Sequence, residues 1–565
     1  MHCLIKRGLA LFLFGSSLLL TGAAQGRDQT QVAGAVEAKQ GMVVAVAPLA
    51  ADAGVQMLRD GGNAVDAAVA TAFAEAVTWP AAGNIGGGGF MVIYPRNEEP
   101  IVVDYREKAP LAATPTMLEK RDANFAYKTV GVPGTVAGLT LAHQKFGKLR
   151  WKHVLAPAVK LAQEGFPIDR ALAGSLNSAV RQAPAGSELR RVYGKLGGKE
   201  QWQAGDTLLL PDLASSLHQI ADQGPYAFYK GPIAEKIIAE MQIGGGLIIK
   251  QDLAGYKAEL RKPIHGTYRG FDIYAPPPSS SGGICLIEML NILETFDLKK
   301  HDRFSPETLH LMVEAMRRAY RDRARYLGDS EFVKIPSELT SKEYARELAA
   351  GISLDKATPS EALAKDIPLA GEGTNTTHFS VIDRDGMAVS NTYTLENSFG
   401  SRIVVRGAGF LLNNEMTDFN TKPGVTDRKG SIGTDANLIA PGKRMLSAQT
   451  PVIVSRNGKV FLVTGSPGSR TIINTDLCIL VNVLDYGMDV RSAVDAPRIH
   501  HQWFPDVVHF EDAAKHPEAV AALRKLGHHV TSTRQGDAHS IWVDPKTGLY
   551  YGAQDKRVDG KAAGY

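Results

Sequence analysis

Two threonine hydroxyls, on Thr376 and Thr394, are predicted to lie side by side, where one of them could act as a nucleophile. Alternating apolar and polar residues flank the turn signal Asp-Arg-Asp-Gly at 383–386, which is typical of a β-hairpin. If Ile382 and Met387 flank the turn, Thr376 lies across from Tyr393; a tighter turn shifts the pairing by two residues, to Leu395. In either register Thr376 is within one residue of the position across from Thr394. Because threonine is common in strands, this pair alone does not identify a site.

A second segment could stabilise negative charge that develops during a reaction. Residues 459–465 (KVFLVTG) are predicted to form a strand, 466–469 (SPGS) a tight loop, and 470–485 a helix. Such a unit presents backbone N–H groups at the positive end of a helix dipole, which suits an oxyanion. The same pattern also describes an ordinary strand-to-helix connection.

The elements that must support these segments begin near the N-terminus. Residues 41–48 (GMVVAVAP) are predicted to form a buried strand, and helical apolar spacing follows at 49–59 and 64–77. Asn63 is a suitable N-cap for the second helix, with Asp66 at the third helical position. These elements predict a strand covered by two helices.

The remaining pattern divides the chain near residue 375. The glycine run at 84–89 lacks the lysine and the helix of a phosphate loop, so it indicates close backbone packing. Residues 130–350 are predicted to be mostly helical, with a break at 274–283 (YAPPPSSSGG). The polar stretch 352–373 is typical of a linker, and the chain beyond it is rich in predicted strands.

Composition indicates a globular protein with a large core. The chain has 565 residues, of which 44% are hydrophobic and 22% charged, which excludes a disordered or polytopic membrane protein. The 63 basic and 59 acidic residues nearly balance, so no nucleic-acid partner is expected. Cys285 and Cys478 lie in apolar runs and are predicted to be buried free thiols, although an oxidising compartment would allow them to pair.

The first 26 residues resemble a signal peptide. Lys6 and Arg7 precede an apolar run at 8–20, which small residues follow, and cleavage after Ala24 or Gly26 would fit. The run is shorter than the ~20 residues that span a bilayer, although a membrane anchor remains an alternative. We therefore expect an exported protein, periplasmic or secreted, with no membrane insertion after signal removal.

Nine motifs, in order along the chain, resemble those of the gamma-glutamyltranspeptidase family of N-terminal-nucleophile (Ntn) hydrolases. They are NIGGGGFM, DYREKAP, VGVPGTVAGL, YAPPPSSSGGI, NTTHFSV, LLNNEMTDF, KPGV, GSPGS and APRIHHQW, and the resemblance runs from about residue 35 to Tyr565. It implies an α/β fold of the Ntn-hydrolase type. This is an αββα four-layer sandwich, in which helices cover two stacked antiparallel sheets.

The resemblance also implies that the chain cleaves itself between Asn375 and Thr376. The products would be a large subunit (27–375) and a small catalytic subunit (376–565), which form one heterodimer around a shared core. A new N-terminal amine titrates near ~8, so it can take the proton of its own hydroxyl at neutral pH. The amide nitrogen of the uncut chain cannot do this, and cleavage would therefore activate the enzyme.

Four residues would carry the catalytic step in a member of this family. Thr376 would be the nucleophile, and Thr394 would hydrogen-bond to it and orient it, in agreement with the hairpin prediction. The backbone amides of Gly468 and Ser469 would form the oxyanion hole.

A further set of residues would bind the two charged groups on the α-carbon of a glutamyl substrate. Arg106 would hold the α-carboxylate, because its planar fork matches a carboxylate, with a further contact from Ser447. Glu415 and Asp418 would accept the α-ammonium group. Glu396 lies where many members of the family have asparagine and some have glutamate.

Three positions depart from the family pattern. Ala448 stands where a second serine is usual, and the lost hydroxyl could weaken carboxylate binding by ~1 kcal/mol. Ser469 replaces the second glycine of a usual pair, which crowds the oxyanion turn while keeping its backbone donor. In the lid at 422–448, Lys429 stands where an aromatic residue is frequent.

The resulting hypothesis is an exported, self-processing gamma-glutamyltransferase and glutathione hydrolase. Its substrates would be glutathione and other γ-glutamyl compounds, and its acyl acceptors water, amino acids or dipeptides. A glutaryl or cephalosporin acylase-like Ntn amidohydrolase is the alternative, because Ala448 and Ser469 alter the pocket. A non-catalytic γ-glutamyl-binding protein is a more remote one.

No metal or organic cofactor is expected, because an amine, a hydroxyl and an oxyanion hole suffice for this chemistry. The histidine pairs at 500–501 and 528–529 are adjacent in sequence, and neighbours in a strand point to opposite faces. They are therefore poor candidates for paired metal ligands.

Overall fold

Two seven-stranded antiparallel sheets lie at the centre of the computed structural model, which describes residues 34–364, 376–558 and 560–565. One sheet has the order β1-β18-β17-β13-β12-β9-β8, and the other β19-β2-β10-β11-β3-β4-β7. The strands are β1 Val36–Ala38, β2 Gly41–Ala45, β3 Gly88–Tyr94, β4 Ile101–Asp104, β5 Phe166–Pro167, β6 Thr207–Leu208, β7 Glu259–Arg261, β8 Ile264–Tyr268, β9 Phe271–Ala275, β10 Thr377–Asp383, β11 Ala388–Thr394, β12 Val452–Arg456, β13 Lys459–Thr464, β14 Ile499–His500, β15 Val508–Phe510, β16 Val530–Thr531, β17 Ser540–Val543, β18 Tyr550–Ala553 and β19 Lys561–Gly564.

Helices cover both outer faces of the two sheets. The α-helices are α1 Pro48–Arg59, α2 Ala64–Thr78, α3 Phe125–Lys128, α4 Thr135–Phe146, α5 Trp151–Glu164, α6 Arg170–Gln182, α7 Glu188–Tyr193, α8 Pro211–Gln223, α9 Pro225–Tyr229, α10 Pro232–Gly244, α11 Lys250–Gly255, α12 Gly282–Glu294, α13 Pro306–Tyr326, α14 Lys342–Ala350, α15 Thr471–Leu484, α16 Val490–Asp495 and α17 Pro517–Lys525. Short 3₁₀ turns occur at Lys195–Gly198, Leu298–Lys300, Ser337–Thr340, Ser360–Leu363, Glu415–Asp418, Asp435–Asn437 and Ala513–Lys515. Within the described ranges, none of these helices is both long and apolar enough to cross a bilayer.

Three apolar clusters bind the four layers together. Inward-facing side chains such as Val44 and Ile453 fill the space between the sheets. One outer cluster joins α1, α2 and their neighbours to the sheet that contains β10 and β11. The other joins α12, α13 and α15 to the second sheet. The predicted αββα four-layer fold is confirmed.

The N-terminal predictions agree closely with the structure. The helices predicted at 49–59 and 64–77 correspond to α1 and α2. Asn63 Oδ1 accepts hydrogen bonds from the N–H groups of Val65 and Asp66, and Asp66 Oδ2 accepts one from the N–H of Asn63. The strand predicted at 41–48 ends earlier, because Pro48 already begins α1.

The predicted register of the hairpin was wrong. Ile382 pairs with Ala388, one residue away from either predicted register. The reason is a three-residue loop in which Gly386 adopts φ +84° and the N–H of Asp383 bonds to Met387 O at 3.0 Å. Continuing the observed register by one residue beyond Thr377–Tyr393 brings position 376 across from Thr394.

The described part of the predicted linker, 352–364, is anchored rather than loose. Ser360 is fully buried, its hydroxyl donates to Trp503 O at 2.5 Å, and its N–H donates to Asp506 Oδ2 at 2.8 Å. Arg317 of α13 donates to the Ser360 hydroxyl at 2.5 Å. The polar sequence did not reveal that this segment is anchored, because its polar groups bond to the rest of the protein instead of to water.

Further predictions fall outside the described residues. The signal peptide at 1–26, Asn375 and the last part of the predicted linker all lie there. Cys285 and Cys478 are buried free thiols, as predicted.

Candidate active site

Nine of the predicted site residues line one small pocket at an end of the two sheets. They are Arg106, Thr376, Thr394, Glu396, Glu415, Asp418, Ser447, Ala448 and Ser469. Gly468 lines an adjoining cavity that also contains Thr376. The structure therefore brings together residues from four separate parts of the sequence, near positions 106, 376–396, 415–418 and 447–469.

The two threonines sit where the central hairpin opens into the pocket. Thr376 is half-buried and immediately precedes β10, while Thr394 is the buried last residue of β11. Thr394 Oγ1 accepts a hydrogen bond of 2.8 Å from the N–H of Glu396. That bond fixes the second hydroxyl on the pocket side of the strand. The predicted bond between the two threonines remains a prediction.

The loop at 466–469, between β13 and α15, contributes Ser469 to the pocket and Gly468 to the adjoining cavity. Gly468 and Ser469 adopt φ +131° and +55°, respectively. A side chain at Gly468 would collide with Thr471 Oγ1, which itself donates to Gly468 O at 2.8 Å. Glycine is thus required at 468 by geometry, whereas Ser469 holds a left-handed conformation that side chains rarely adopt.

Arg106 lines the pocket and lies among three carboxylates. It follows β4, is fully buried, and its Nη1 lies 2.6 Å from Glu415 Oε2 and 3.4 Å from Glu107 Oε2. Its Nη2 forms an ion pair with Asp418, and its Nε donates to Met445 O at 3.3 Å. One cation flanked by anions is complementary to an amino acid head group, which carries one charge of each sign.

Burial controls the charge of these carboxylates. Burial raises the pKa of Glu415 well above its usual value, although Arg106 opposes the shift. Burial likewise raises the pKa of Glu107 to about 8, again against the attraction of Arg106. Glu107 is therefore largely protonated at neutral pH, which reduces the excess of negative charge around Arg106.

Glu107→Gln is expected to flatten the pH dependence of stability between about pH 4.3 and 8. The folded pKa lies above the unfolded value of about 4.3. In this window the folded protein keeps a proton that the unfolded chain has lost, so stability falls as pH rises. One such group contributes at most about 1.4 kcal/mol per pH unit. Thermal melts across this range measure the slope, with exposed Glu98→Gln as the control, and equal slopes for Glu107→Gln and the unaltered protein would contradict a protonated Glu107.

The segment with Ser447 and Ala448 is held by the break predicted at 274–283. Ser447 N–H donates to Ser279 O at 2.9 Å, and Ser281 Oγ donates to Ser447 O at 2.6 Å. Ser447 Oγ accepts from the N–H of Gln449 at 3.1 Å. The serine-rich loop therefore has a structural role that its sequence did not indicate: it positions one wall of the pocket.

A sequence model of gamma-glutamyltranspeptidase matches residues 50–565. The chain belongs to the gamma-glutamyltranspeptidase family. Glutathione hydrolase proenzyme of Escherichia coli (strain K12) is 47% identical over 541 residues, which cover 94% of this chain and 93% of that protein.

Solved structures agree with this membership in the gamma-glutamyltranspeptidase family. The cephalosporin acylase from Bacillus halodurans has a TM-score of 0.84 at 27% identity and covers 97% of this chain and 99% of its own. Helicobacter pylori gamma-glutamyltranspeptidase has a TM-score of 0.53 at 42% identity, covering 56% of this chain and 92% of its own. Both are similar to this protein in fold, and they carry different names for their activities.

Segment 422–448, which the family resemblance implies to be a lid, is hydrogen-bonded to the residue that follows the loop at 466–469. Arg470, which directly follows Ser469, donates from Nη1 to Gly430 O at 3.0 Å. Lys429, at the position where gamma-glutamyltranspeptidases often have an aromatic residue, is exposed.

Glu396 Oε2 accepts a hydrogen bond of 2.7 Å from Asn414 Nδ2. This bond fixes the Glu396 carboxylate at the pocket wall.

Sequence reasoning missed several residues of this gamma-glutamyltranspeptidase pocket. Arg323, Leu446, Gln449 and Ile472 also line it. Arg323 is buried on α13 and donates to Ser281 Oγ at 2.9 Å. Its run, RRAYRDRARY, resembles a solvated helix face, so only the tertiary structure could identify it. Glu107 had a signal, because it is adjacent to Arg106 in DYREKAP.

A second polar cluster lies away from the pocket. Side-chain N and O atoms of His310, Glu314 and His528 lie within 4.8 Å of one another, whereas the sequence prediction concerned only the adjacent pair 528–529 as paired metal ligands. Each group already has protein partners: the two imidazoles bond to each other at 2.8 Å, and Glu314 pairs with Arg318 at 2.6 Å. The cluster works as a hydrogen-bonded support for the anchored segment at 352–364.

Proposed function

We propose that the protein is an exported, self-processing gamma-glutamyltransferase and glutathione hydrolase that uses Thr376 as its nucleophile. One observation carries the proposal: Thr376 shares a single pocket with Arg106, Glu415 and Asp418. The lining suits a γ-glutamyl group, because its carboxylate and ammonium would meet groups of opposite charge while its γ-carbonyl would lie near the hydroxyl. Membership in the gamma-glutamyltranspeptidase family supports the same reading.

Self-cleavage before Thr376 would create the catalyst. The bond between Asn375 and Thr376 breaks, and the large (27–375) and small (376–565) subunits remain together as a heterodimer. The term proenzyme in the name of the Escherichia coli relative supports this step. A signal peptide at 1–26 and a periplasmic or secreted location complete the proposal for the precursor.

The reaction proceeds in two acyl-transfer steps. The α-amine of Thr376 takes the proton of its hydroxyl, and the oxygen attacks the γ-carbonyl carbon. The N–H groups of Gly468 and Ser469 stabilise the oxyanion, while Thr394 orients the nucleophile. The proton passes to the leaving amine and a γ-glutamyl ester forms. Water, an amino acid or a dipeptide then attacks the ester and restores the Thr376 hydroxyl.

Arg106 and its neighbours hold the donor in place during these steps. The guanidinium would bind the α-carboxylate with Ser447, and Glu415, Asp418 and Glu396 would surround the α-ammonium. The ion pairs of Arg106 with Glu415 and Asp418 would loosen as the substrate's own charges take their place. Binding thus exchanges protein–protein ion pairs for protein–substrate ones.

An acylase for glutaryl or cephalosporin side chains is the second candidate. The similarity to the Bacillus halodurans cephalosporin acylase favours it, as does Ala448 in the pocket wall. A glutaryl group lacks the α-ammonium, so it would leave Glu415 and Asp418 without a cationic substrate partner.

Release of nitroaniline from γ-glutamyl and glutaryl anilides separates the two candidates. The γ-glutamyl compound is expected to have at least a hundredfold higher kcat/KM, because a site built for a polar group discriminates strongly against its absence. The two compounds differ only at the α-carbon, so each serves as the control for the other. A preference for the glutaryl compound would instead assign the acylase activity.

A further inference from the structure

A second cavity adjoins Thr376, in addition to the pocket that holds Arg106. It encloses about 220 Å³ and shares Thr376 with that pocket, and Gly468 also lines it. Its walls are part apolar and part polar: Trp79, Ala82 and Pro467 contribute to the apolar part, and Ser175, Thr377 and Ser398 also line it. A molecule in this cavity would be close to the nucleophile without competing for the carboxylates around Arg106.

Asp537 is the charged residue among the described residues that line this cavity. Asp537 is only 5% exposed, and its Oδ1 has no hydrogen-bond partner within the described ranges. Oδ2 lies 3.4 Å from Nε2 of the buried His539, and the N–H of Asp537 donates to Ser466 Oγ at 3.0 Å. A buried carboxylate with an unused oxygen favours a cation that enters the cavity.

The neighbouring carboxylate does not supply a second negative charge. Glu75 on α2 is fully buried and accepts a hydrogen bond of 3.4 Å from the Thr377 hydroxyl. Burial raises the pKa of Glu75 well above its usual value, and the charge of Asp537 raises it further. Burial thus favours the neutral form of Glu75, which is not among the described residues that line the cavity, and the anionic group on the cavity wall is Asp537.

The lining also defines the kind of cation. No lysine or arginine occurs among the described lining residues, so a carboxylate on the guest would meet Asp537 without any compensating charge. The apolar part of the wall, at Trp79, Ala82 and Pro467, favours an apolar substituent on the guest. These features fit a primary amine with an apolar side group and no adjacent carboxylate, such as the N-terminus of a peptide or an amino acid amide.

We propose that this cavity is the acceptor site and that Asp537 binds the amine that takes the acyl group from Thr376. The inference rests on the proposed transferase function and adds the acceptor class to it. The amine nitrogen attacks the ester carbon, the bond to Thr376 Oγ breaks, and Oγ receives one proton. An acceptor that enters as an ammonium releases one further proton to solvent, and the products are a γ-glutamyl amide and the free hydroxyl.

The test compares transfer to phenylalaninamide and to phenylalanine, with a γ-glutamyl anilide as donor. The unaltered protein is expected to have at least a tenfold lower KM for the amide than for the acid. Asp537→Asn should raise the KM for the amide at least tenfold and should lower transfer at least ten times more than hydrolysis. Asp537→Glu should restore part of the loss, and the exposed Glu518→Gln should behave as the unaltered protein.

Three outcomes would overturn the inference. These are no preference for the amide, an unchanged acceptor KM in Asp537→Asn, or an equal loss of hydrolysis and transfer, which would mean that Asp537 acts on Thr376 itself. If Asp537→Asn fails to fold, the amide preference of the unaltered protein decides the question. A protein that releases no nitroaniline would refute the proposed function, whereas an active protein with an unchanged acceptor KM would refute only this inference.

Discussion

Thr376→Ala is expected to leave a single uncut chain with no measurable γ-glutamyl transfer. In the proposed mechanism the hydroxyl is required twice, once to attack the preceding peptide bond and once to attack the substrate. Its removal therefore blocks both maturation and turnover, and activity should fall by at least about a thousandfold. The pocket should otherwise remain intact, because Thr376 is half-buried and lies outside the strand pairs of β10.

A denaturing gel and N-terminal sequencing measure this result. The unaltered protein should give two bands, and the shorter fragment should begin at Thr376. Thr376→Ser is the matched control, since it keeps the hydroxyl and should retain both cleavage and part of the activity. A single band from an active unaltered protein would reject self-cleavage.

Arg106→Ala is expected to raise the KM for a γ-glutamyl anilide at least a hundredfold. The change removes the proposed bidentate partner of the α-carboxylate, and charge-assisted hydrogen bonds contribute about 1.5–3 kcal/mol each. It also removes the cation that Glu415 and Asp418 share, so the pocket would no longer attract a carboxylate. Arg106→Lys should recover the charge while losing the fork, and should have an intermediate KM.

The matched control is Arg428→Ala, because Arg428 is 77% exposed and pairs with Glu361 at the surface. Its KM should stay close to that of the unaltered protein. A 4-aminobutyryl anilide, which lacks the α-carboxylate, should lose much less on Arg106→Ala than the γ-glutamyl anilide does. Equal losses for the two anilides, or equal effects of the two arginine variants, would show that the α-carboxylate does not bind at Arg106. Thermal melts identify any loss of folding.

Local patterns predicted much of the scaffold. The capping box at Asn63 and Asp66 and the hairpin around 383–386 follow from residue types a few positions apart, and both are present. The register was wrong by one residue because loop length depends on the positive φ of Gly386, which a turn signal alone does not determine. The αββα fold itself came from family resemblance and not from local pattern.

The candidate site was predictable only where the chain could be aligned with family motifs. Nothing in the spacing of Arg106, Glu415 and Ser447 shows that they meet, because three distant loops bring them together. Arg323 and Asp537 had no signal at all, since a buried charge and an exposed one look alike in a single sequence. Both became visible only through their burial and their place in a cavity.

Both sheets interleave strands from either side of position 375: β2 lies between β19 and β10, and β12 lies beside β9. Once the bond before Thr376 is cut, neither fragment retains a complete sheet of its own. Denaturation would then turn a unimolecular folding problem into a bimolecular one, whose yield depends on concentration. The durability of the cleaved enzyme that we propose would therefore be set by the rate at which its two chains separate, because the uncut precursor is the species that can assemble this topology from one chain.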